Sequence, residues 1–219
     1  MRVLLTGAGS GIGHELARRL IDRGDELWLV VRTPERAAGF PSAHVLVADL
    51  ADPAAVEALE LPDALDAVVH AAGVVELGPV ASLPTRAWQE HLAVNLVAPA
   101  VLTRVALPAL RAAGGTVVFV NSGSGLRANS EWSAYAASKF GLRALADSLR
   151  AEEAGHGVRV TSVFPGRTAT PMQEKVHEHE GQAYDAGRWI RASTVVDAIL
   201  GALDLPADAT MPEVVLRPR

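Results

Sequence analysis

Seven short apolar runs, separated by segments of helical period, constrain this chain more than any single residue does. Val3–Thr6, Leu27–Val31, His44–Val47, Ala67–His70, Thr116–Val120, Val158–Val163 and Val214–Leu216 read as strands, several of them apolar on successive residues. A strand that is apolar on both faces has to be covered on both, as in a parallel sheet held between two layers of helices. Ile12–Arg23, Pro53–Leu59, residues 86–112, Ser133–Ala154 and Thr194–Leu203 carry the helical spacing that would supply those layers. The alternation predicts an α/β fold: a single doubly wound domain over residues 1–219, with a parallel seven-stranded sheet and helices on both faces. Hydrophobic residues make up 49% of the chain and run along its whole length, which suits one large core.

The first strand-to-helix junction, LLTGAGSGIGHELARRL at residues 4–20, places glycines at 7, 9, 11 and 13. Glycine weakens a chain unless the backbone needs positive φ or something must approach it closely. A tight structural turn would explain part of the pattern. Its position between the first strand and the first helix points further, to a Rossmann-type turn, where bare backbone and the free N–H groups of a helix start attract a pyrophosphate. The second strand then ends in Val31-Arg32-Thr33, without the acidic residue that would hold a ribose 2′-hydroxyl. A guanidinium binds a 2′-phosphate in fork geometry, so Arg32, with Thr33 and Arg36 beside it, favours NADP(H) over NAD(H). Asp49, after the third strand, has two readings: acceptor for an adenine amino group, or N-cap of a helix before Ala54.

Composition removes several classes of function. A formal net charge of −5 and scattered Lys and Arg argue against nucleic acid as a partner. The chain has no cysteine, which excludes disulfides, thiolate catalysis and zinc–cysteine sites. No apolar run reads as a signal peptide or membrane span, so the expectation is a cytoplasmic protein without a membrane partner. His177 and His179 alternate in a polar stretch that is expected to be solvated, and no metal is expected.

Tyr135 and Lys139, four residues apart in WSAYAASKFGLR, share one helical face, and Ser122 in VVFVNSGSG stands at the carboxyl end of a strand. Asn95 in VNLVAP is a polar side chain inside an apolar helix, where a helix-bending amide is the plainer reading. Together with TGAGSGIG at 6–13, ADL at 48–50, HAAG at 70–73, VN at 94–95, NS at 121–122 and PGRTAT at 165–170, these residues resemble the short-chain dehydrogenases/reductases over essentially the whole chain. The resemblance implies Tyr135 as acid/base, Ser122 on the substrate oxygen, Lys139 on the nicotinamide ribose and lowering the tyrosine pKa, and Asn95 anchoring a water joined to Lys139. It implies a dinucleotide along Thr6, Gly7, Gly9, Ser10, Gly11, Ile12 and Gly13, with further contacts from Asp49, Leu50, Ala71, Ala72 and Gly73. Pro165, Gly166, Thr168 and Thr170 would complete them. It also implies a small-molecule carbonyl or alcohol substrate and a homodimer or homotetramer built on the long helices. A phenol of ordinary pKa near 10 is a poor base at neutral pH, so positive charge beside it is chemically useful.

Two departures accompany the resemblance. HAAG stands where the family has Asn-Asn-Ala-Gly, so His70 is read as a hydrogen-bonded structural residue. The sequence stops soon after the seventh strand, and an open pocket with a short lid at about 171–192 is expected. Within it, Gln173–Gly187 is polar and shows no helical period, as a mobile lid would. Two other functions stay open: a dinucleotide-binding sensor or scaffold without turnover, and an epimerase or dehydratase of the same family.

Overall fold

The computed structural model describes all residues, 1–219. Its main sheet is wholly parallel, with strands β1 (Arg2–Thr6), β2 (Glu26–Val31), β3 (His44–Val47), β4 (Ala67–His70), β5 (Thr116–Val120), β6 (Arg159–Pro165) and β9 (Glu213–Leu216) in the order β3-β2-β1-β4-β5-β6-β9. Helices α1 (Gly11–Asp22), α2 (Pro53–Glu57), α3 (Thr85–Leu92), α4 (Ala98–Ala113), α5 (Ser133–Glu153) and α7 (Ala192–Leu203) cover it.

Successive residues of the central strands feed opposite layers, as the period of two requires. Val3 and Leu5 pack with Leu16, Leu20, Val195 and Ile199 of α1 and α7. Leu4, Val117 and Phe119 pack with Leu102, Leu110 and Leu142 of α4 and α5. Gly24, Gly114 and Gly157 all take positive φ where helices hand back to strands.

Helices α3 and α4 form one continuous run, joined by a π-helical turn at Ala93–Val97. This run, Thr85–Ala113, is long and apolar enough by composition to cross a membrane. Here it is a core helix, with Leu102, Ala106 and Leu110 fully buried over the sheet.

Two features depart from the sequence reading. A polar helix α6 occupies Pro171–His179 and so overlaps Gln173–Gly187, the stretch expected to lack helical period. Thr170 caps it through its hydroxyl, Pro171 starts it, and its buried positions are Gln173, Val176 and His177. That i, i+3, i+4 spacing is masked in the sequence because two of the three residues are polar. His177 is therefore buried rather than solvated, its Nδ1 at 2.8 Å from the Gln173 carbonyl. Second, β7 (Thr168–Ala169) pairs in parallel with β8 (Ile190–Arg191), outside the main sheet.

Candidate active site

From β1 the sheet grows through β2 and β3 to one side and through β4, β5 and β6 to the other. The loops leaving β1 and β4 therefore part at their carboxyl ends, the switch point at which doubly wound sheets take ligands. A cleft of about 660 Å³ opens there, lined from the glycine turn to the start of α6.

Two glycines make the turn possible. Gly7 has φ +81°, and a Cβ on it would stand 2.6 Å from the Ala72 nitrogen; a Cβ on Gly13 would strike the Gly7 carbonyl. Thr6 ties the same layer together, its hydroxyl accepting the N–H groups of Ala71 and Ala72 at 3.1 Å each. Thr6 and Gly13 thus stand behind the cleft, while Gly7, Gly9, Ser10, Gly11 and Ile12 line it. Ser10, the N-cap of α1, makes no side-chain cap bond. The first N–H groups of α1 therefore have no cap from the chain, at the positive end of the helix dipole.

At the end of β2, Arg32 and Arg36 both line the cleft. Neither guanidinium has a carboxylate partner among the chain's ion pairs. Thr33 stays outside the lining; its hydroxyl bonds Glu35 and holds that carboxyl below its usual range. The capping alternative for Asp49 is overturned. Helix α2 starts at Pro53, so Asp52 is the cap and accepts from Ala54 and Ala55. Asp49 accepts the Ala51 N–H at 2.9 Å and lines the cleft with Leu50.

Ser122, Tyr135 and Lys139 come together in the same cleft, as do Ala71, Ala72, Gly73, Pro165, Gly166, Thr168 and Thr170. Burial pushes the Tyr135 phenol above its ordinary value, and a hydrogen bond with Ser122 works against that. Lys139 is buried too, its ammonium depressed to about 8 by loss of solvent, and its Nζ donates to the Val120 carbonyl at 3.0 Å. Nζ lies 5.8 Å from the Tyr135 ring centroid. Burial outweighs the Ser122 bond, so the phenol keeps its proton in this cleft and can act as a proton donor.

The surroundings of this group explain its order. Trp132 and His91 meet the Tyr135 ring edge-on, with centroids at 5.7 and 6.1 Å. His91 is fully bonded, Nδ1 to the Ala87 carbonyl at 2.6 Å and Nε2 to the Glu76 N–H at 3.0 Å. Asn121 joins the two halves of the site: its amide donates to the Lys139 carbonyl and its oxygen accepts the Ser122 N–H. Neither Asn121 nor His91 is assigned a part by the sequence pattern.

Asn95 lies in the π-helical turn, buried behind the cleft. Its amide clamps both the N–H and the carbonyl of Val74 and donates to the Ser138 hydroxyl at 3.0 Å. A Cβ on Gly73 would stand 3.3 Å from Asn95 Oδ1 and 3.9 Å from Lys139 Nζ. Glycine at 73 keeps the space between those two groups open. His70 has the structural place expected of it, buried and bonded through Nε2 to Thr103 at 2.8 Å. Burial alone holds its imidazole neutral, with a pKa of about 3.

Backbone bare of Cβ, an uncapped helix start and two guanidiniums without ion-pair partners form a donor set that fits the phosphates of a nicotinamide dinucleotide. The chain is 36% identical over 180 residues to 2,3-dihydro-2,3-dihydroxybenzoate dehydrogenase of Escherichia coli, covering 78% of this chain and 71% of that one. It is 31% identical over 201 residues to benzil reductase ((S)-benzoin forming) of Saccharomyces cerevisiae, covering 82% and 76%. Actinorhodin polyketide ketoreductase, a structure with NADPH, superposes with a TM-score of 0.89 at 26% identity over 99% of this chain and 95% of its own. The short chain dehydrogenase family model matches residues 1–181, a span that includes the glycine turn, Ser122, Tyr135 and Lys139. By that match the chain is an oxidoreductase that belongs to the short-chain dehydrogenase/reductase family.

Proposed function

We propose that the protein is an NADP(H)-dependent reductase of a ketone or aldehyde, or dehydrogenase of the corresponding alcohol, formed by one domain with a lid at about 171–192. The observation that carries this reading is the convergence of Ser122, Tyr135 and Lys139 in the cleft at the switch point. Gly7 to Gly13 would hold the pyrophosphate, Arg32 and Arg36 the 2′-phosphate, and Asp49 with Leu50 the adenine. Ala71, Ala72, Gly73, Pro165, Gly166, Thr168 and Thr170 would border the nicotinamide half. When bound, the nicotinamide supplies or accepts the hydride. Tyr135 gives its proton to the substrate oxygen in reduction and takes it back in oxidation. Ser122 donates a hydrogen bond to that oxygen as negative charge develops on it. Lys139 places a positive charge behind the phenol and is the residue positioned to meet the ribose, with Asn95 and Gly73 framing its amine. The homodimer or homotetramer would use the α3–α5 face, where Leu92, Val97 and Phe140 are exposed.

Tyr135→Phe tests the reading. It should bind NADPH as the parent does and lose on the order of 10² or more in single-turnover hydride transfer, because only the acid is removed. Hydride transfer at the parental rate across the pH range would overturn the proposed chemistry and favour a non-catalytic binding role.

A further inference from the structure

The charges that line the cleft point to what the substrate can carry. Of the cations, Arg32 and Arg36 lie at the β2 end, and Lys139 is buried on the Val120 carbonyl. The remaining one, Arg167, is closed off. Glu180 grips its guanidinium from two sides at 2.7 and 2.6 Å, and it lies over the Trp189 ring at 5.4 Å. Among the anions, Asp49 belongs to the β2 side, whereas Glu90 on α3 lines the cleft at its exposed mouth without any ion-pair partner. Arg127 shares a loop with Asn129 but, unlike Glu90, lies outside the lining.

Apolar side chains also line the cleft. Trp132 stands edge-on to Tyr135, and Val75, Met172 and Val176 belong to the same lining, as does the amide of Asn129. Aromatic walls accept flat apolar groups, and amides fix a neutral polar tail.

We infer that the substrate is a carbonyl compound with an aromatic or similarly flat apolar group and no carboxylate or phosphate, and that Glu90 rejects anionic analogues. This rests on the oxidoreductase reading of the same site. A carboxylate bound here would meet the unpaired Glu90 carboxylate and no free cation, and juxtaposed like charges disfavour binding.

Three acetophenones carrying –CH2–CO2⁻, –CH2–CONH2 or –CH2–NH3⁺ at the para position test this, because the methylene insulates the carbonyl from the charge. With full-length protein and NADPH, kcat/KM for the amide should exceed that for the carboxylate at least tenfold, and the ammonium ketone should not fall below the amide. Calorimetric titration of the three product alcohols into the NADP⁺ complex should rank their affinities the same way. Glu90→Gln should shrink the amide-to-carboxylate ratio to within about threefold, the direction expected for removal of a repulsive element. Preference for the carboxylate, a ratio unchanged in Glu90→Gln, or no turnover or binding of any of the three would overturn the inference. Failure of the oxidoreductase reading looks different: NADPH binds, but neither these ketones nor any of a broad panel of neutral and charged carbonyl compounds oxidises it.

Discussion

Lys139 is a charge stored where the fold would be more stable without it. Its ammonium is depressed from 10.5 to about 8 by burial, with one hydrogen bond to the Val120 carbonyl for compensation. In the unfolded chain the same amine keeps its proton to about pH 10.4. Between those values the unfolded state binds more protons than the folded state, so stability rises with pH across the window. At 1.36 kcal/mol per tenfold in proton affinity, keeping the charged amine in the core costs about 3 kcal/mol at pH 7 and about 1 kcal/mol at pH 10. Lys139→Met fills similar space without a charge and loses a hydrogen bond worth about 1 kcal/mol. The variant should be about 2 kcal/mol more stable than the parent at pH 7 and about equal to it at pH 10. Urea unfolding of both proteins at the two pH values, without nucleotide, measures the double difference. A stability difference that does not change with pH would refute the reasoning. The same variant should lose hydride transfer, which is the expected trade between activity and stability at a site of this kind.

Three further outcomes follow from the geometry. Gly13→Ala drives a methyl group into the Gly7 carbonyl, and should cost about 1–3 kcal/mol in thermal unfolding together with NADPH affinity; a variant with parental affinity would detach the turn from nucleotide binding. His70 is neutral down to about 3 when folded, so stability should fall as pH drops from 6.5 toward 3, by up to about 1.4 kcal/mol per pH unit. His70→Asn should flatten that acid limb in pH-dependent unfolding, and an unchanged slope would contradict it. Arg32→Ala should weaken NADPH by about 1.5–3 kcal/mol, typical of a charged hydrogen bond, with little change for NADH; fluorescence titration of both nucleotides would expose an equal loss, which would remove Arg32 from the phosphate site.

What the sequence disclosed, and what it hid, divides along physical lines. The strands were legible because burial on both faces leaves continuous apolar runs such as Ala67-Val68-Val69 or Val117–Val120, and the seven-stranded parallel sheet follows from them. Ser122, Tyr135 and Lys139 stood out only in company: a strand end and an i, i+4 pair are common singly, and the joint run of motifs resembling the family marked them. Helix α6 was hidden because polar Gln173 and His177 occupy its buried positions. The π-helical turn is recorded in no residue pattern; it accompanies the clamp of Asn95 on Val74, a contact between residues 21 apart. His91 and Asn121 act through bonds to backbone groups of other elements, which a spacing rule does not reach. Strands β7 and β8, two residues each, are too short to carry a period.

That small ribbon has a consequence for how the mouth of the cleft can change. Thr168 pairs with Ile190 and Ala169 with Arg191, so the chain leaves the main body and returns to it at a single stapled base. Everything between residues 170 and 189 is a closed excursion whose ends are already held together. Lengthening such an excursion adds only about 0.6 kcal/mol of closure entropy for each doubling of its length, and none of the main sheet's hydrogen bonds depends on its contents. The part of the excursion beyond Thr170, which itself lines the cleft beside Gly11, can therefore be replaced or resized as a unit without disturbing the main sheet or helix α5.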